Sequence, residues 1–461
     1  MAILRAYALP HPIMAIPAVG RGKEKQMPRT LAAFDIVAQD IAGLRPDTII
    51  FLTPHNVVYD NYFHISPGDK GKGDCKRFGT KHVRLTLKYD PNFAAATAYA
   101  AGKYGVSAKT LGERNAPLDH GVMVPLWYIN RRYSKFKTMR VSQANLDAEA
   151  HYKMGQCLCD AALKIGRRTV VVASGNLSRK IEEKKQSGYV QEALEYDKEM
   201  AHIFATGTFQ RLFSIPFSQR EVADECGYSI FMMMAGCLDR KHVKADLLSY
   251  ENPFGEGYAV ASFDPGSYAE NRDFLNKSEK IQRRLVVKAR ALENSYCTLA
   301  RRALEYTVLH GLAMPIPVRL PREMLTTRAG AFVSIYMNGR LRGAAGTLDP
   351  STENVATEIA KNAVIAGQSD KRFVPITEKD LSGLVYKVDV IGRPEKILES
   401  HQLDTRRYGL IVTNGDKWGA VLPNQRSIKT GDEQILEAKN RAGIDTDAPA
   451  MLERFEVYRH E

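Results

Sequence analysis

The stretch TIIFLTPHN at residues 48–56 decides the reading of the N-terminal part. Thr48–Leu52 is a short, β-branched apolar run of the kind a buried strand shows, and Thr53-Pro54-His55-Asn56 closes it. Two other stretches repeat the pattern. Ile3–Leu9 is an apolar run ended by Pro10 and His11, and Thr169–Ala173 runs into Gly175-Asn176-Leu177-Ser178. Each predicted strand delivers polar side chains at its carboxyl end. Open α/β sheets bind ligands in the crevice outside those ends. If the strands are parallel neighbours, His11 and His55 meet there.

Between these strands the apolar spacing predicts helices over Met27–Leu44, Asn92–Lys103, Ala148–Lys164, Val190–Thr206 and Cys226–Cys237. Met232, Met233 and Met234 read as core packing. Further strands are expected at His82–Leu87, Lys137–Val141 and Tyr258–Phe263, and Ser66–Lys76, with three glycines, reads as a loop. Residues 179–185, alternating basic and acidic, read as a solvated loop or a helix start.

Residues 269–284 are polar and charged and read as a linker between 1–268 and 285–461. Beyond it come a long amphipathic helix at Leu285–Leu309 and an extended Pro-rich stretch at Met314–Pro321. Strands at Gly330–Met337 and Leu341–Leu348 flank Asn338-Gly339, a strong hairpin signal. A helix at Thr352–Ala366 and strands at Gly383–Val390, Tyr408–Thr413 and Trp418–Leu422 complete an α+β unit.

The 461 residues carry 65 Lys and Arg against 52 Asp and Glu, a net charge of +13. Acidic residues are interleaved throughout. The excess therefore reads as a solvated basic surface, or one suited to an anionic small molecule, in preference to a nucleic-acid interface. Six scattered cysteines without a CxxC pair argue against a zinc ribbon and for a reducing, cytoplasmic setting. No apolar run approaches the ~18 residues of a membrane span.

Two histidines need a carboxylate to complete a facial triad on a divalent metal. Glu225 is the candidate, and a helix N-terminal acid is its equal alternative.

Together LPHPIM around His11, LTPHN around His55, APLDHGVMVPL around His120, ASGNLS at Ala173–Ser178 and DECGY around Glu225 resemble the class III extradiol dioxygenase (LigB-like) superfamily and the related Memo proteins. The resemblance implies a three-layer α/β domain with a central mixed or parallel sheet. It implies iron(II), or another divalent metal, held by His11, His55 and Glu225, with His120 in the substrate and oxygen pocket. Asn176, Ser178 and Asn56 are the expected substrate contacts. Ring-cleaving relatives usually carry an acid–base histidine just after the SGxLS segment, where this chain has Arg179. An arginine cannot serve as that base; it can bind an anionic group or stabilise an oxyanion.

Residues 285–461 resemble the AMMECR family through SYCTLARRAL, GAFVSI, LRGAAGTLDP, TENVA, VYKVDV and YGLIV. Ala344 and Ala345 replace the cysteine and isoleucine of the family's central motif. Arg342 with its glycines reads either as an anion pocket or as a strand packed on a helix. Glu353 and Asn354 read as helix N-terminal or pocket residues.

The pairing of the two resemblances implies a ring-oxidising enzyme on a small aromatic or anionic substrate. The alternative is a non-enzymatic metal- or peptide-binding scaffold partnering a radical S-adenosylmethionine protein. A homo-oligomer is compatible with either.

Overall fold

A computed structural model describes residues 2–180, 191–425 and 428–461. Most of the alternating-charge stretch at 179–185 lies outside the described residues. The chain divides into two compact units, Met1–Glu279 and Lys280–Glu461.

The first unit is built on a six-stranded mixed sheet. Its spatial order is Lys137–Ser142, Thr48–Thr53, Thr169–Ser174, Ile3–Leu9, Tyr258–Tyr268 and Lys241–Glu251. The first four strands are parallel, and the last two form an antiparallel edge hairpin. Successive side chains of a strand point to opposite faces, so these strands feed two cores. Ala6, Ala8, Ile50, Leu52, Val171 and Ala173 face one, together with Met232, Met233 and Met234. Tyr7, Leu9, Ile49, Phe51, Val170 and Val172 face the other, against Phe34, Val37, Val122 and Leu126. Burying each such large side chain contributes about 1.5–3 kcal/mol. Two apolar faces require helices on both sides, which gives the three-layer arrangement.

The helices Ala148–Lys164 and Tyr228–Cys237 approach closely through glycine. A Cβ on Gly155 would strike the carbonyl of Met233, and one on Gly236 that of Tyr152.

In this unit the structure overturns one sequence expectation and adds two elements the sequence reading did not name. Lys70–Cys75 is a strand paired with Thr80–Lys88, not a loop. Its glycines are there because a Cβ on Gly71 or Gly73 would collide with Tyr89 or Leu118. His120–Asn130 is a helix despite Pro125. Lys241–Glu251 is an edge strand whose half-exposed alternation hides it among charged residues.

In the second unit the sheet is antiparallel, in the order Arg340–Gly346, Ala331–Met337, Leu384–Ile391, Met451–His460, Tyr408–Asn414 and Lys417–Val421. Asn338 and Gly339 both have positive φ, as the tight hairpin turn requires. The long helix expected at Leu285–Leu309 is two, Phe274–Leu292 and Ser295–His310, divided where Asn294 caps the second by accepting from Tyr296 N and Cys297 N. The first of these begins inside the 269–284 stretch.

Asn354 caps Val355–Gln368, its side chain accepting from Thr357 N at 2.9 Å. Arg342 gives its guanidinium to the carbonyl of Val374 at 2.7 Å and lies 3.6 Å from Asp380. A Cβ on Gly343 would strike the carbonyl of Ala366. Strand-on-helix packing therefore accounts for the Arg342-Gly343 segment.

Candidate metal centre

The parallel register places Leu9 beside Ser174 and Leu52 beside Ala173. The Thr169–Ser174 strand lies between the other two, so the chain leaving each strand enters one crevice. His11, His55 and Asn176 all emerge there.

His11 is buried and held from three directions. Its N–H donates to Asn176 Oδ1 at 2.9 Å, its Nδ1 lies 3.0 Å from Ser174 Oγ, and its Nε2 lies 2.9 Å from His55 Nε2. Cys226 Sγ is 3.6 Å from the same Nε2. His120 stacks on His55 with ring centroids 4.2 Å apart, and meets His11 edge-on at 5.0 Å.

Burial is the first cause of every shifted proton affinity here. It pushes His11 well below the ordinary imidazole range, with His55, His120 and Arg179 adding repulsion. It brings His55 down to about 3, again helped by His120 and Arg179. It lowers His120, against the opposing pull of Asp119. All three rings are therefore neutral at neutral pH, the form in which imidazole binds metals. The Cys226 thiol is pushed up to about 11 by burial, with Arg179 opposing. Binding a metal there would release its proton.

His11, His55 and Cys226 each offer one donor atom, all within 4.8 Å of one another. A neutral His11 whose Nδ1–H donates to Ser174 Oγ turns its Nε2 lone pair toward the other two donors. Two imidazoles and a thiol fit a transition-metal ion, with the sulfur favouring a softer one than an all-nitrogen and oxygen set would.

Of the expected site residues, His11, His55 and His120 are brought together. Glu225 is not part of that donor group. Its Oε2 accepts the N–H of Tyr228 at 2.6 Å, at the start of the Tyr228–Cys237 helix. Asn176 is buried and supports His11, with its amide 3.4 Å from Glu256 Oε2. Ser178 is fully buried, its N–H donating to Asp197 Oδ1 at 2.8 Å. Asn56 donates to Ser142 Oγ at 2.8 Å. Arg179 lies beside Cys226, Asp224 and Glu256, which raise its proton affinity against the opposing effect of burial.

Sequence reasoning missed Cys226 and Glu256. The first was visible only as a lone cysteine beside the chosen acid. The second sits in a loop with no motif, yet its Oε2 accepts from Tyr258 Oη at 3.1 Å.

Residues 5–261 match the family described as the catalytic LigB subunit of aromatic ring-opening dioxygenase, and residues 297–461 match the AMMECR1 family. A protein of Clostridium acetobutylicum is 34% identical over 463 aligned residues, covering 99% of this chain and 98% of its own length. A Thermotoga maritima protein is 36% identical over 171 residues, 37% of this chain and 98% of its own. Among solved structures, an uncharacterized protein of Pyrococcus horikoshii is similar at 26% identity with a TM-score of 0.32, over 36% of this chain and 88% of that one.

Proposed function

Since the chain belongs to the family of catalytic LigB subunits of aromatic ring-opening dioxygenases, with an AMMECR1 region following, we propose that it is a metal-dependent oxidoreductase acting on a hydroxylated aromatic or heteroaromatic ring. The observation that carries this is the convergence of His11, His55 and Cys226 with His120 stacked alongside. Iron(II) is the metal the family implies. A bound ion would supply open positions for the ring's oxygens and ease their deprotonation.

The chain's own residues supply the rest. Neutral His120 accepts a hydroxyl proton. Arg179 keeps its charge and holds an anionic group of the substrate. Asn176 fixes His11 through the backbone N–H. Glu256 balances the charge of Arg179. All six cysteines are unpaired, which fits a cytoplasmic setting, and no helix among the described residues is long and apolar enough to cross a membrane.

Anaerobic loading with iron(II), followed by oxygen uptake with catechols and hydroxylated heterocycles, tests the reading. His55→Ala should abolish metal binding and uptake while the far-ultraviolet circular dichroism stays unchanged. Metal binding without uptake on any such ring would favour the second reading, a metal-binding scaffold that partners a radical S-adenosylmethionine protein. Two features support that alternative: a thiol in the donor set, and Arg179 where a proton-transferring histidine is usual.

A further inference from the structure

Behind the histidines lies a buried polar assembly that the proposed chemistry does not use. Asp119 occupies the N-cap position of the His120–Asn130 helix, yet its side chain makes no capping hydrogen bond. An N-cap aspartate ordinarily turns its carboxylate onto the N–H groups of the first turn. Here Asp119 Oδ1 accepts from Thr53 Oγ1 at 2.6 Å. The Thr53 hydroxyl in turn accepts the N–H of His55 at 3.3 Å. A short path thus runs from the residue before His120, through one hydroxyl, to the backbone of His55.

Arg140 anchors this path. It forms a nearly fully buried ion pair with Asp119, Nη1 standing 3.7 Å from Oδ2, and that Oδ2 has no hydrogen bond among the described residues. Arg140 also donates to the carbonyls of Pro117 at 2.9 Å and Ala116 at 3.1 Å, and to Ser66 Oγ at 2.7 Å. It therefore holds the backbone leading into His120. Ser66 Oγ also receives a long contact, 3.4 Å, from the amide of Asn56, the neighbour of His55. A Cβ on Gly121 would come within 2.5 Å of Thr53 Oγ1 and 2.8 Å of Asp119 Oδ1. Glycine there leaves room for the contact. A buried ion pair is weak evidence for stability, and an N-cap side chain that forgoes its helix gives up a stabilising hydrogen bond. Both costs point to geometry as what the arrangement secures.

We propose that Thr53, Asp119 and Arg140 are positioning residues that fix His55 and His120 relative to each other, so that disturbing either end of the path moves both rings. This rests on the metal-centre reading for its purpose, not for its test.

The test uses the metal-free full chain labelled with ¹⁵N-histidine. Thr53→Val should shift the ring signals of both His55 and His120, and Asp119→Asn should shift the same pair. Thr53→Ser should restore both, and His310 and His460 in the other unit should not move. A shift confined to the nearer histidine in each variant overturns the proposal. If Thr53→Val does not fold, Asp119→Asn decides, and a change at His120 alone overturns it. Cobalt(II) titration is read separately. Thr53→Val should weaken binding by about tenfold, as loss of a ligand's outer partner does. Failure of the unaltered chain to bind cobalt overturns the metal reading and leaves the histidine signals to judge the path.

Discussion

Glu225 and Cys226 are chain neighbours with different tasks. Glu225 accepts the N–H of Tyr228, and Gln in its place keeps an oxygen acceptor. Glu225→Gln should leave metal affinity nearly unchanged. Cys226→Ala removes a donor atom and should weaken binding by more than the roughly 100-fold that outer-sphere changes reach. Competition with a chromogenic chelator measures both.

Asp197 offers a test outside the metal-donor group. Burial raises its carboxyl to about 6, against the hydrogen bonds from Ser178 N and Tyr250 Oη. Its folded-state value lies above the unfolded one, so the native state binds this proton more tightly. The stabilisation is full at low pH and is lost as pH rises from about 4 through about 6. In the Asp197→Asn chain that loss, on the order of 2–3 kcal/mol, should vanish. Urea unfolding at pH 4.5 and pH 7 compares the two.

At the level of elements, the glycine contact between Ala148–Lys164 and Tyr228–Cys237 sets how closely these helices pack. Gly155→Ala pushes a methyl into the backbone of Met233 and should cost about 1–3 kcal/mol in urea unfolding. Gly43, on the Pro28–Leu44 helix, meets nothing within 4 Å of an added Cβ, and Gly43→Ala should be neutral or stabilising by up to about 1 kcal/mol.

The same elements show what the sequence can and cannot reveal. Ile3–Leu9, Thr48–Thr53 and Thr169–Ser174 were legible because buried parallel strands are continuous apolar runs. Their carboxyl ends gave away His11 and His55. Lys70–Cys75 was not legible, because its glycines answer to Tyr89 and Leu118, residues distant in the chain. The His120 helix was hidden by Pro125. Cys226 was hidden because a single thiol has no period or spacing to betray it. Only its approach to His11 across 215 positions of sequence marks it.

For the whole molecule, the two units have separate cores, and every candidate donor lies in the first. A bound ion stabilises the unit that holds it, by about 4 kcal/mol at a thousandfold excess over Kd. Scanning calorimetry of the metal-loaded chain should show one transition raised and another unmoved, and a chelator should reverse the change. A uniform shift of all transitions would mean that the units unfold together.

The Ile3–Leu9 strand sits between Thr169–Ser174 and Tyr258–Tyr268, so the middle of the first sheet joins segments made at widely separated times. Long-range pairing of this kind is slow, because loop closure must precede any reward. The crevice that gathers His11 and His55 forms only once Ile3–Leu9 and Thr48–Thr53 have both paired with Thr169–Ser174. An ion bound there would therefore lock a sheet already assembled instead of nucleating folding as it does in a zinc finger, and on the metal-centre reading newly made chains should mature in two kinetic phases, the second dependent on metal concentration.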